Sequence, residues 1–289
     1  MRLFLTGGSG LLGSDLSPAA LQRGHDVVAP SSAEFNITDP SAVARLGSGE
    51  YGKFDWCVNL AAYTNVDGAE TQIREATELN VIAPGYLAAA CLALGARMVH
   101  VSTDYVFGGG NAEAYAEDDP IAPIQKYGET KAEGEQGVLQ ANPAGLIARV
   151  SWLYGPSKRC FPMGLIENFK AGKPLRIVDD QFGVPSYTGE VSRMLLDLME
   201  TNAEAGIYHV AGSDAVNRFQ YASAVARAYV RATGAAVPEM TPVPSSEFPT
   251  SAVRPTNSVI LTEKVRKYTK PHLPIDEAMD LLVARCLGL

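Results

Sequence analysis

Short apolar runs alternate with longer amphipathic stretches from the first residues onward. Arg2–Thr6 (RLFLT) is an apolar run closed by glycines, the pattern of a buried strand. Leu11–Arg23 has helical spacing and ends at Gly24. Asp26–Ala29 predicts a second strand, Asp55–Ala61 (DWCVNLA) a third and Arg97–Ser102 (RMVHVS) a fourth. A helical stretch from Ala69 to Leu94 separates the last two. Ile124–Leu139 predicts a further helix and Gly145–Val150 (GLIARV) a further strand. Strands apolar on both faces, alternating with helices, indicate a parallel sheet covered on both sides.

Beyond residue 155 the pattern loosens. Helices are expected at Met163–Ala171, Gly189–Glu200 and Phe219–Ala232, and strands at Pro174–Val178 and Gly206–Ala211. Pro and Ser cluster at Pro242–Pro249, which reads as a surface loop. Ile275–Cys286 reads as an amphipathic closing helix. A chain of 289 residues accommodates one large domain with a smaller lobe. The division expected is 1–155 and 156–289, with the later segments partly interleaved with the sheet.

Composition narrows the class. Hydrophobic residues make up 46%, ordinary for a globular chain. With 24 basic against 32 acidic residues the net charge is −8, a poor basis for binding nucleic acid or an anionic membrane. No apolar run is expected to reach the roughly 18 residues of a membrane span. Met1–Thr6 enters the glycine turn directly and is too short for a secretory core, so a cytoplasmic protein is expected. Cys57, Cys91, Cys160 and Cys286 form no CxxC pair, and His25, His100, His209 and His272 are isolated. No metal and no disulfide are expected. His100 and His209, inside strand-like runs, read as packed core histidines.

The chemistry starts at Gly7-Gly8-Ser9-Gly10-Leu11-Leu12-Gly13, which follows a strand and opens a helix. In that setting one glycine permits the tight turn, one lets the backbone approach a pyrophosphate, and one lets helix and strand pack closely. The helix N-terminus offers unpaired N–H groups to the phosphates, and Ser9 adds a hydroxyl. The fold class expected is therefore α/β, a Rossmann-type doubly wound parallel sheet with a smaller C-terminal substrate-binding lobe. Val28-Ala29-Pro30-Ser31-Ser32 ends the second strand with no acid until Glu34, which permits NADPH, with NADH as the alternative. No arginine follows immediately, and Arg2 is the candidate to lie nearby in space. Asn59-Leu60-Ala61-Ala62 ends the third strand with small residues that leave room for a cofactor. Asn80, in a helical run, has either a polar task or a local bend to make.

Tyr127 and Lys131 stand four residues apart in YGETK and share a helix face. A phenol with a pKa of about 10 is a poor base at neutral pH and an acceptable acid. The neighbouring ammonium is expected to lower that pKa and to bond the nicotinamide ribose. Ser102-Thr103-Asp104 lies just past the fourth strand, where ligands of open α/β sheets bind. Thr103 is expected to hold a carbonyl oxygen while Tyr127 donates the proton that accompanies a hydride.

Seven segments occur in order: NLAAYTNVDGAE (59–70), LNVIAPGYLA (79–88), STDYVF (102–107), YGETKAEGE (127–135), RVSWLYG (149–155), DDQFGVPS (179–186) and RPTNS (254–258). In these the chain resembles the dTDP-4-dehydrorhamnose reductase family of extended short-chain dehydrogenases/reductases, over nearly its whole length. The resemblance implies reduction of the 4-keto group of dTDP-4-dehydro-L-rhamnose to dTDP-L-rhamnose, with a dTDP-sugar as partner and a homodimer as an option. By carry-over Thr103, Tyr127 and Lys131 are catalytic. Tyr105 and Trp152 contact the sugar, Asp104 orders their loop, and Gln181 and Arg254 approach the nucleotide sugar. The cofactor set it implies is Gly7, Ser9, Gly10, Leu11, Leu12, Gly13, Ile37, Asp39, Leu60, Ala61, Ala62, Tyr63 and Asn80, with Tyr127 and Lys131. Magnesium at a subunit contact is associated with some members, and no residue set here requires it. Val150, the segment Pro156–Met163 and Ser186 depart from the family pattern.

Arg254 also suits a diphosphate on chemical grounds, because a guanidinium forms a fork of hydrogen bonds. A surface salt bridge is its other reading, and a core aromatic the other reading of Trp152. Two competing functions stand beside reduction. Another reductase or an epimerase of the superfamily would suit the same cofactor half, although an epimerase needs an acid–base pair that Asp104 alone does not supply. A non-catalytic, NADP-binding regulatory subunit need not keep Thr103, Tyr127 and Lys131 together.

Overall fold

In the computed structural model, residues 1–288 are described, and residue 289, the last of the expected second lobe, lies outside the described residues. Strand β1 (Arg2–Thr6) sets the architecture, since Leu3, Phe4 and Leu5 are all fully buried. Successive side chains point to opposite faces, so both faces need cover. Leu3 and Leu5 pack with Leu16, Val99 and Leu195, while Phe4 packs on the other face with Phe35, Leu46, Cys57 and Leu87.

The chain continues through α1 (Gly13–Gln22), β2 (Asp26–Val28), α2 (Pro40–Gly47), β3 (Trp56–Asn59), α3 (Val66–Ala69), α4 (Ile73–Thr77), α5 (Ala83–Ala93) and β4 (Arg97–Thr103). Next come α6 (Lys126–Ala141), β5 (Leu146–Val150), β6 (Leu153–Tyr154), α7 (Phe161–Lys170), β7 (Leu175–Val178), β8 (Phe182–Gly183) and β9 (Ser186–Tyr187). The remaining elements are α8 (Thr188–Glu200), β10 (Gly206–His209), β11 (Val216–Asn217), α9 (Arg218–Thr233), β12 (Met240–Val243) and α10 (Ile275–Leu287). Six strands form the central sheet in the order β2-β1-β3-β4-β5-β10, every neighbouring pair parallel. After β1 the chain adds β2 on one side and β3 on the other, so the order reverses there and opens a crevice at the carboxyl ends.

Four expectations are corrected. Helix α2 was not foreseen; Asp39 caps it, accepting from the Ser41 N–H at 2.9 Å, and Pro40 starts it. The single helix expected from Ala69 to Leu94 is divided into α3, α4, a π-helical turn at Glu78–Ile82 and α5. Its Ile73–Ala93 portion spans 21 residues and holds an 18-residue window of mean hydropathy 1.2, so by length and composition one stretch does reach membrane-span size. Leu87, Ala88 and Cys91 nevertheless pack into the sheet core, and α5 lies against α2 and α6. The loop expected at Pro242–Pro249 contains the end of β12, which runs parallel to β7. Pro242 is tolerated because this two-stranded ribbon requires few ladder bonds.

Helices α7, α9 and α10 enclose a separate core that includes Leu165, Phe169, Tyr221, Val225, Met279 and Leu282. By contrast α8 packs on α1, and β10 completes the main sheet. Residues after 155 thus supply parts of both layers.

Candidate active site

A cavity of about 670 Å³ opens over the carboxyl ends of the central strands. One end is the glycine turn, with Gly7, Ser9, Gly10, Leu11, Leu12 and Gly13 on its wall together with Leu60, Ala61 and Ala62. Gly7 has φ +68°, and a Cβ there would stand 2.8 Å from the Ala61 nitrogen. A Cβ on Gly13 would stand 2.5 Å from the Gly8 oxygen. Larger side chains are excluded, and the turn lies flat against the end of β3 with its backbone facing the cavity. This cradle fits a dinucleotide pyrophosphate.

Helix α6 brings the catalytic candidates to the middle of the cavity. The Gln125 side chain caps it, accepting from the Gly128 N–H at 2.5 Å. A Cβ on Gly128 would collide with the Tyr105 carbonyl, so this glycine lets the first turn of α6 press against residues 104–106. Tyr127, Lys131 and Thr103 all line the cavity. The Tyr105 and Tyr127 rings meet edge-on, with centroids 6.3 Å apart and planes at 78°. Burial raises the Tyr127 phenol above its ordinary range, and the neighbouring Thr103 side chain offsets only part of that. The expected lowering by Lys131 is corrected: that ammonium has other partners.

Lys131 is 1% exposed, and burial lowers its pKa to about 8, with Glu135 opposing the shift. Its Nζ donates to the Val101 carbonyl at 2.7 Å and lies 3.3 Å from His100 Nε2. His100 Nδ1 lies 2.9 Å from the Asn59 amide, whose oxygen accepts from the Thr6 hydroxyl at 2.5 Å. A buried polar chain therefore runs from β1 through β3 and β4 to α6. Burial and the Lys131 charge keep His100 neutral. The core reading of His100 is right about its burial and omits its contact with the lysine.

The other end of the cavity is built from Tyr105, Trp152, Phe161, Arg218 and Tyr221. Trp152 adopts φ +41°, unusual for a bulky residue. Asp104 sits beneath, accepting from Ser258 at 2.6 Å, Ser151 at 2.8 Å and Thr103 at 3.0 Å. Burial raises its pKa while these hydrogen bonds and Arg218 oppose that. Asp104 ties the loop after β4 to β5 and to the segment around 258.

Other candidates lie outside this cavity. Asn80, fully buried in the π-helical turn, accepts from the Tyr63 N–H at 2.9 Å and donates to the Tyr63 carbonyl and the Thr130 hydroxyl. Its polar task and its local bend are thus one feature. Ile37 is packed in the core with Phe35, and Asp39 caps α2. Gln181 contributes its carbonyl to the Arg218 N–H at 3.1 Å. Arg254 forms a two-pronged ion pair with Asp67, at 2.7 and 2.6 Å. Arg2 does not approach the cofactor end: it sits at the opposite end of β1, paired with Asp26. Glu34 accepts from both the N–H and the hydroxyl of Ser31. Thr64, Val66, Lys158, Arg159, Phe161, Arg218 and Tyr221 line the cavity without having been singled out from the sequence. Thr64 and Val66 fall within the quoted segment 59–70 and Lys158, Arg159 and Phe161 within Pro156–Met163, but no local spacing assigns them individually, and Arg218 and Tyr221 lie in neither. Among the described residues, no three His, Cys, Asp or Glu side chains are grouped to hold a metal.

Fold and cavity together define a dinucleotide-binding α/β protein of the short-chain dehydrogenase/reductase class. The family model described as RmlD substrate binding domain matches residues 1–286. A dTDP-4-dehydrorhamnose reductase of Mycolicibacterium smegmatis is 36% identical over 265 residues, 91% of this chain and 79% of the relative. The crystal structure of a dTDP-4-dehydrorhamnose reductase of Clostridium acetobutylicum has a TM-score of 0.90 at 30% identity, covering 100% of both chains. That of Bacillus anthracis, in complex with NADP, has a TM-score of 0.89 at 30% identity, covering 97% of this chain and 98% of that one. The chain belongs to the dTDP-4-dehydrorhamnose reductase family.

Proposed function

We propose that this protein reduces the 4-keto group of dTDP-4-dehydro-L-rhamnose to dTDP-L-rhamnose, with NADPH as cofactor and NADH as the alternative. One observation carries the reading: Thr103, Tyr127 and Lys131 converge on a single cavity whose other wall is the glycine turn. The nicotinamide, when bound, supplies the hydride. Gly7, Ser9, Gly10 and the start of α1 hold its pyrophosphate, and Lys131 donates a further N–H to the ribose. Thr103 holds the carbonyl oxygen by its hydroxyl, whose proton turns to that oxygen from Asp104. Tyr127 gives its proton to that oxygen as negative charge develops there. A phenol with a raised pKa is fully protonated before the step, as a proton donor must be.

The test supplies the products of dTDP-glucose dehydration and epimerisation and follows NADPH absorbance. Turnover is expected, and Tyr127→Phe is expected to abolish it while NADPH affinity stays within about threefold, since only one hydroxyl is lost. Protein that binds NADPH and reduces no dTDP-4-keto sugar would instead be a regulatory subunit.

A further inference from the structure

A nucleotide sugar brings a diphosphate into the cavity, and its anionic oxygens need a cation. The sequence candidate, Arg254, has both prongs on Asp67 and also donates to the Ala252 carbonyl at 2.8 Å. Four other cations border the cavity: Lys131, Lys158, Arg159 and Arg218. Lys131 is buried at the catalytic centre. Arg159 is paired with Glu167 at 3.2 Å. Lys158 follows Ser157, whose hydroxyl lies 3.4 Å from the Leu11 carbonyl, at the dinucleotide end. Arg218 remains. Among the described residues no carboxylate lies within salt-bridge distance of it, and its guanidinium carbon stands 3.6 Å from the centre of the Trp152 ring and 5.4 Å from that of Phe161.

We propose that Arg218 binds the sugar-proximal phosphate of the nucleotide diphosphate. Stacking on Trp152 fixes the plane of the guanidinium before ligand arrives, so little freedom is lost on binding. The fork of N–H groups matches a phosphate edge. Arg218 lines the cavity with Tyr105, Trp152 and Tyr221, which places it beside the sugar end. Helix α9 holds its backbone through Gln181, which gives Gln181 its part in the site. This assignment rests on the nucleotide-sugar reading above and adds which residue meets the phosphate.

The experiment titrates NADPH-loaded wild type, Arg218→Met and Arg218→Lys with dTDP and with dTMP, which lacks the sugar-proximal phosphate. Arg218→Met is expected to weaken dTDP roughly 10- to 100-fold, the usual worth of a charged hydrogen bond, and dTMP less than about threefold. Arg218→Lys is expected to recover part of the loss. In turnover the KM for the dTDP-4-keto sugar rises by the same factor while kcat stays within about threefold. Equal dTDP affinity in all three proteins overturns the assignment, as does equal weakening of dTMP and dTDP, which would mean that Arg218 only shapes the pocket. If Arg218→Met does not fold, the Lys and Gln variants carry the same comparison. Wild type that binds dTDP but does not reduce the keto sugar removes the reductase reading and leaves the role of Arg218 standing.

Discussion

At the scale of single residues, a buried lysine sets the strongest constraint. Lys131 titrates near 8 in the folded chain against an ordinary 10.5, so the charged form costs the fold about 3 kcal/mol. The folded state releases its proton first, and stability therefore rises with pH between those two values. Chemical denaturation from pH 7 to 9.5 should show wild type gaining stability relative to Lys131→Met above pH 8. Parallel curves would mean that the lysine is not held charged against burial. The upper limit matters, because buried tyrosines such as Tyr127 keep their protons in the fold and draw stability down above about pH 10. The pairing of Tyr127 with Lys131 was legible, because four positions along a helix put two side chains on one face. His100 as the partner of Lys131 was not, since β4 and α6 meet only in the folded chain.

At the scale of elements, short strands and tight turns aim the side chains. Gly183 in β8 lies against Trp152, and a Cβ there would fall inside contact distance of the indole. Gly183→Ala should push the indole off its position, cost about 1–3 kcal/mol from overpacking and raise the sugar KM roughly tenfold. NADPH affinity should be unchanged, since the glycine turn is at the other end of the cavity. A normal KM, read beside the tryptophan fluorescence, would show that the ring moves without consequence. Strand–turn–helix at the N-terminus was readable because each glycine answers a local backbone demand. The break in the expected long helix was not, because the π-helical turn depends on Asn80 reaching Tyr63 and Thr130.

At the scale of the whole molecule, several ion pairs tie the two halves, among them Arg23–Asp197, Arg285–Asp15 and Asp67–Arg254. Asp67, after β3, accepts from both prongs of Arg254 and from the Ala252 N–H at 3.0 Å. Arg254 holds the Asp67 carboxyl down at about 2. That contribution is present above the ordinary carboxylate pKa and is lost as the pH falls from about 4 toward 2. The pair is partly exposed, so Asp67→Asn should cost only about 1 kcal/mol at neutral pH. The cost should vanish near pH 2, where wild type is protonated as well. A difference that persists in acid would place the effect in packing instead of charge.

What the sequence determined by itself was local: strands apolar on both faces, the glycine turn, the Ser-Thr-Asp loop and the Tyr-Lys pair. Each depends on residues within a few positions of one another, where backbone geometry alone fixes who shares a face. The tertiary structure decided which cations are free. Arg254 is taken by a carboxylate 187 positions away, and Arg218 is delivered to Trp152 by a helix from the far half of the chain. No spacing encodes that choice, because ion pairs and stacks form between whatever side chains the packed elements bring within a few ångströms.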